Sequence, residues 1–127
     1  GYGASFVAQG TPADMAGLAA VIEEGIRFPG FAFINVQSPC VTYGEEWQQV
    51  KAQKAMMESL EVQGHDPADR LRAMDLAQAY GQKIYTGVFY RNPNPPPTYE
   101  SLVRERQAEM SKDPLPKERI LELFIKK

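Results

Sequence analysis

At 127 residues and 14.2 kDa the chain is long enough for one hydrophobic core and too short for two. A hydrophobic fraction of 43% with 24% charged residues excludes an intrinsically disordered chain, and 14 basic against 16 acidic side chains leave no cationic excess to hold nucleic acid. No apolar run nears the roughly 20 residues that crossing a bilayer demands, and nothing resembles a secretory signal. The single cysteine, unable to form an internal disulfide, suits a reducing compartment, so a soluble, cytoplasmic protein is expected.

The first residues, Gly1-Tyr2-Gly3-Ala4-Ser5, run without an initiator Met into apolar Phe6-Val7-Ala8, and the start reads as a cut inside a domain. Phe6-Val7-Ala8 is expected as a buried strand. A helix follows, with Thr11 as its cap, Pro12 at its first position and Asp14 completing a T-x-x-D capping pattern. Met15, Leu18, Ala19, Ile22 and Ile26 recur at helical spacing as its core face, and Pro29-Gly30 stops it. Phe31 to Val36 is expected as a strand covered on both faces, which makes a βαβ unit with parallel strands.

Pro39 ends that strand and leaves Cys40 in the loop at its carboxyl end, the edge of a parallel sheet at which ligands bind. A helix is expected over 45–62, with Trp47, Val50, Met57 and Leu60 on one side and Gly64 at its end. The next helix is capped by Asp66, starts at Pro67 and ends at Gly81, with Leu71, Met74, Ala77 and Tyr80 along one stripe. Ile84 to Tyr90 is β-branched and aromatic, and Gly87 within it suggests an edge strand. Prolines 93, 95, 96 and 97 form an extended linker, Tyr99 to Met110 a polar helix with Leu102 and Val103 on its narrow apolar side, and Ile120, Leu121, Leu123 and Phe124 an apolar tail suited to lie on another surface. The chain thus divides at 91: residues 1–91 form the α/β part and residues 92–127 the linker and tail.

Among residues that could carry chemistry, Cys40 stands first. A lone cysteine is commonly a small buried thiol; at a sheet's carboxyl edge it can also serve as a nucleophile or a metal ligand. The single histidine, His65, stands just before a capped helix, where packing is its ordinary task. A zinc site would need paired Cys or His spacings that are absent, and neither Gly-rich phosphate loop occurs. The acid pairs Glu23-Glu24 and Glu45-Glu46 read as solvated helix surface, and no complete active site is visible.

Three stretches taken in order, Gly3-Ala-Ser-Phe-Val-Ala8, Gly30-Phe-Ala-Phe-Ile-Asn-Val-Gln-Ser-Pro-Cys-Val-Thr-Tyr43, and Gly64-His-Asp-Pro-Ala-Asp-Arg70 followed by Gly87-Val-Phe-Tyr-Arg91, resemble the C-terminal part of the β subunit of 2-oxoacid:ferredoxin oxidoreductases. The resemblance covers residues 1 to about 99. It implies the final βαβ unit of a thiamine-diphosphate-binding, parallel-sheet α/β domain followed by a helical, Pro-rich C-terminal extension. It also implies a share in the oxidative decarboxylation of 2-oxoglutarate or pyruvate to an acyl-CoA, with electrons passed to ferredoxin.

For Cys40 the resemblance implies the fourth ligand of a 4Fe–4S cluster whose other three cysteines lie upstream, as do the segments that hold thiamine diphosphate and Mg2+. The implied partners are the α subunit, the upstream part of the β subunit, ferredoxin, a 2-oxoacid and coenzyme A. The family often carries Asn where this chain has Gly44. No catalytic residue is assigned. Two other readings stay open: a non-catalytic α/β interaction module that docks through its Pro-rich tail, and a thiol enzyme that pairs Cys40 with His65.

Overall fold

The computed structural model describes residues 3–40, 42, 44–79, 81–112, 116, 119 and 125. Tyr80 and the apolar tail positions Ile120, Leu121, Leu123 and Phe124, read from the sequence as core and docking residues, lie outside the described residues. The chain divides into two compact units, residues 1–96 and 97–127.

In the first unit, β1 (Phe6–Gly10) pairs in parallel with β2 (Ala32–Val36), with Phe6 opposite Ala32 and Gly10 opposite Val36. The expected βαβ unit is therefore present, with α1 (Met15–Arg27) as its crossover. Two caps in relay start this helix. Thr11 accepts from the Ala13 N–H and opens a 3-10 turn over Pro12–Asp14, and Asp14 then accepts from the Gly17 N–H to cap α1 itself. The helix ends at Arg27, and its cap Phe28 has the extended backbone that the following Pro29 imposes.

The core face of α1 differs from the expected one. Leu18, Val21 and Gly25 are buried, while Met15 and Ile26 are 65% and 79% exposed. Both stripes satisfy helical spacing, and Gly25 decides between them, because it lets the helix approach β2 so closely that a Cβ there would lie 2.7 Å from the Ile34 Cδ1. Phe6, Ala8, Leu18 and Val21 form the resulting cluster, with Phe28, Ala32, Ile34 and Val88 around it.

The sheet departs from the parallel arrangement that the resemblance implies. Its order is β2-β1-β4-β3, and β4 (Ile84–Arg91) runs antiparallel to β1. Far from being an edge, β4 lies between β1 and β3 (Met57–Ser59), and it is parallel to the latter. Gly87 does not interrupt it: its positive φ of 114° is accommodated within the ladder opposite Gln9, and the Leu60 side chain packs over it. Strand β3 occupies the end of the stretch expected to be helical, so that helix is shorter, α2 (Glu46–Met56). Trp47, assigned to its core side, is 83% exposed.

On the face opposite α1 lies α3 (Arg70–Ala77), capped by Asp69, which accepts from the Arg72 N–H, while Asp66 closes the preceding turn by accepting from the Ala68 N–H. The expected stripe is again displaced: Ala73 and Leu76 are buried with Leu60 and Phe89, whereas Leu71 is 79% exposed. Phe33, on the same sheet face as Val7 by strand alternation, is half exposed, so β2 is covered on one side only.

In the second unit, α4 (Tyr99–Lys112) is capped by Thr98, whose hydroxyl accepts from the Ser101 N–H, and none of its residues is buried. Among the described residues no helix is long and apolar enough to cross a membrane.

Candidate functional site

Cys40 sits where expected, past the carboxyl end of β2, and is exposed. Its main chain is held from both sides by one side chain. The Cys40 N–H donates to Gln49 Oε1 at 2.9 Å, and Gln49 Nε2 donates to the Cys40 carbonyl at 3.1 Å. One helical turn further along α2, Gln53 Nε2 donates to the Gln37 carbonyl at 3.1 Å, and Gln53 Oε1 accepts from the Thr11 hydroxyl at 2.5 Å. Thr11 is fully buried, and the Gln37 N–H returns to the Gly10 carbonyl of β1.

Two glutamines at i and i+4 therefore fasten the Cys40 loop to α2 and α2 to the end of the sheet. Sequence reasoning misses both. It looks for an apolar stripe, and α2 has only a weak one; the available signal is the pair of amides at helical spacing, facing a loop that ends in proline and cysteine.

Gly44 takes on a local meaning here. A Cβ at that position would fall 2.5 Å from Gln49 Nε2, so the amide occupies the space that glycine leaves.

His65 belongs to another part of the molecule. Its Nε2 lies 2.8 Å from the Phe89 carbonyl. A carbonyl only accepts, so the ring donates through Nε2, and Nδ1 is buried with no partner among the described residues. Phe89 is the residue by which the β1–β4 register slips: Val7 faces Tyr90, whereas Ala8 faces Val88. His65 thus takes up the spare carbonyl of a β-bulge. Two residues on, the Arg91 N–H donates to the Pro67 carbonyl at 2.8 Å, while the Arg91 guanidinium pairs with Glu24 of α1 and stands 5.8 Å from the centre of the Phe6 ring. The two sequence segments Gly64–Arg70 and Gly87–Arg91 are brought together by these bonds. Cys40 and His65 are not: one follows β2 and the other binds β4, with β1 between those strands.

A cleft of about 540 Å3 opens between α1 and the turn that follows β3, with Thr11, Glu24, His65 and Arg91 among its walls. A smaller hollow of about 250 Å3 on the α3 face is floored by Gln9 and Asn35, whose side chains bond each other at 2.6 Å, and has Lys83 at its rim. Lys83 pairs with Glu58, and that hydrogen bond holds its ammonium pKa above the ordinary value.

Among the described residues no group of three or more His, Cys, Asp or Glu side chains could hold a metal ion. A shared iron–sulfur cluster makes a smaller demand: a single exposed cysteine on a fixed main chain can supply one of its four ligands.

The family of the C-terminal region of the pyruvate ferredoxin oxidoreductase beta subunit matches residues 40–108, starting at Cys40 itself. The chain belongs to this family. Its relatives include the 2-oxoacid:ferredoxin oxidoreductase subunit beta of a Sulfolobus species, 30% identical over 115 residues, and that of Saccharolobus solfataricus, 29% identical over 113. These alignments take in 80% and 82% of this chain but only 36% and 37% of the two relatives.

A solved structure of 2-oxoglutarate:ferredoxin oxidoreductase from Magnetococcus marinus, with 2-oxoglutarate, coenzyme A and succinyl-CoA bound, superimposes on 96% of this chain with a TM-score of 0.75 at 28% identity. The chain spans 41% of that polypeptide. The matched span from 40 to 108 contains Cys40, its Gln49 clamp and both segments joined through His65 and Arg91, whereas Thr11, Glu24 and Gln37, which they contact, lie before it.

Proposed function

We propose that this chain provides the C-terminal region of the β subunit of a 2-oxoacid:ferredoxin oxidoreductase and that the Cys40 thiolate is one ligand of a 4Fe–4S cluster completed by cysteines outside it. The observation that carries the reading is the exposed cysteine at the carboxyl end of β2, on a main chain fixed at both N–H and C=O, in a chain of this family. When bound, the cluster supplies one-electron transfer toward ferredoxin. This chain's own residues hold the ligand: Gln49 orients Cys40, and Gln53 and Thr11 tie α2 to the sheet.

The substrates proposed are 2-oxoglutarate or pyruvate and coenzyme A, with the α subunit and ferredoxin as partners. Thiamine diphosphate and Mg2+ would be held mainly by residues outside this chain. A thiol-enzyme reading lacks support, because β1 separates the strand that Cys40 follows from the strand that His65 binds.

The test is anoxic purification of the complete β subunit with its α subunit, followed by iron and sulfide analysis and visible spectra of wild type and Cys40→Ser. Iron–sulfur absorbance that Cys40→Ser diminishes or alters supports the proposal. A wild-type complex without iron overturns it and favours an interaction module.

A further inference from the structure

We propose that Gln49 is the positioning residue of the Cys40 ligand, an inference that rests on the cluster reading above and extends it to the group that sets where the thiolate is presented. A residue in an exposed loop ordinarily has its N–H and C=O solvated by water and its dihedrals free to sample several wells. Here one planar amide engages both groups of Cys40, at 2.9 and 3.1 Å, and so defines the orientation of the whole residue. The amide is referenced to the sheet: Gln53, on the same face of α2, is bonded to the fully buried Thr11 hydroxyl and to the Gln37 carbonyl. Gly44 is part of the device, since any side chain there would displace the Gln49 amide.

The clamp has a second consequence. Reduction potentials of iron–sulfur clusters depend on hydrogen bonds to their sulfurs. With its N–H engaged by Gln49 Oε1, Cys40 does not offer that donor to a cluster sulfur. Loss of the clamp frees the N–H to turn toward the cluster, which stabilises the more negative, reduced state and moves the potential upward.

The experiment uses the complete α and β subunits carrying Gln49→Ala, Gln49→Glu or Gly44→Ala, with two readouts: the rate of iron release to a chelator and the cluster potential from an electron paramagnetic resonance titration. Because each hydrogen bond contributes about 1 kcal/mol, Gln49→Ala and Gly44→Ala should release iron about three- to tenfold faster and raise the potential. Gln49→Glu still accepts from the Cys40 N–H but cannot donate to its carbonyl, so its iron release should lie between theirs and that of wild type. Release rates and potentials equal to wild type in both Gln49→Ala and Gly44→Ala overturn the inference. Cys40→Ser in the same preparation separates the two levels: a cluster unaffected by Cys40→Ser defeats the ligand reading itself, whereas a Cys40-dependent cluster indifferent to Gln49 defeats only the positioning role.

Discussion

Thr11 is read from the sequence as a helix cap, and it is one, but its hydroxyl also donates across 42 residues to Gln53. Valine keeps its shape and removes both bonds, leaving the buried Ala13 N–H and the half-buried Gln53 Oε1 without this partner. Thr11→Val should therefore destabilise the protein by about 1–2 kcal/mol, seen as a lower denaturant midpoint with an unchanged slope, while Thr11→Ser should recover most of the loss. His65 is the other residue whose work is done by main-chain contact. His65→Ala deprives the Phe89 carbonyl of its donor and should cost about 1–3 kcal/mol by the same measurement.

The cap at Thr11 is legible because capping is local: its signal lies within three residues. The bond to Gln53 and the bulge at Phe89 are not, because they depend on which segments the fold brings together. Cys40 is intermediate, its place after β2 readable and its Gln49 clamp hidden.

Among the elements, Thr11 caps the turn into α1 as expected, whereas α3 is capped by Asp69 rather than Asp66 and starts three residues after Pro67, and the faces of both helices differ from expectation. Stripes offset by one residue on α1 and α3 are equally periodic, and the choice falls to small residues, Gly25 and Ala73, that hydrophobicity does not mark. Gly25 tests this reading of α1. Gly25→Ala brings a methyl against Ile34 Cδ1, and Ile34→Val removes that atom, so the double variant should be more stable than the two single effects predict, by about 0.5–1 kcal/mol in a double-mutant cycle. Simple additivity would mean that α1 packs on another face. Strand β3 is not legible because Met57–Ser59 carries no strand pattern of its own; it forms through pairing with β4 and the Lys83–Glu58 contact.

For the molecule as a whole, the sequence holds the parallel β1-α1-β2 unit and the family, and it does not show that β4 inserts antiparallel beside β1. That placement needs the bulge at Phe89 and the joining of Gly64–Arg70 to Gly87–Arg91, both long-range pairings. The resulting fold delivers one exposed cysteine, held by its main chain, in a chain that spans 36–41% of the relatives it matches. The central claim is that the Cys40 sulfur is bonded to iron in the assembled enzyme, and alkylation mapped by mass spectrometry reads this at the atom concerned. In the anoxic, iron-loaded complex of complete subunits the Cys40 peptide should resist iodoacetamide, and it should become labelled once the iron is stripped by oxidation and chelation. Equal labelling of Cys40 before and after iron removal would contradict the account.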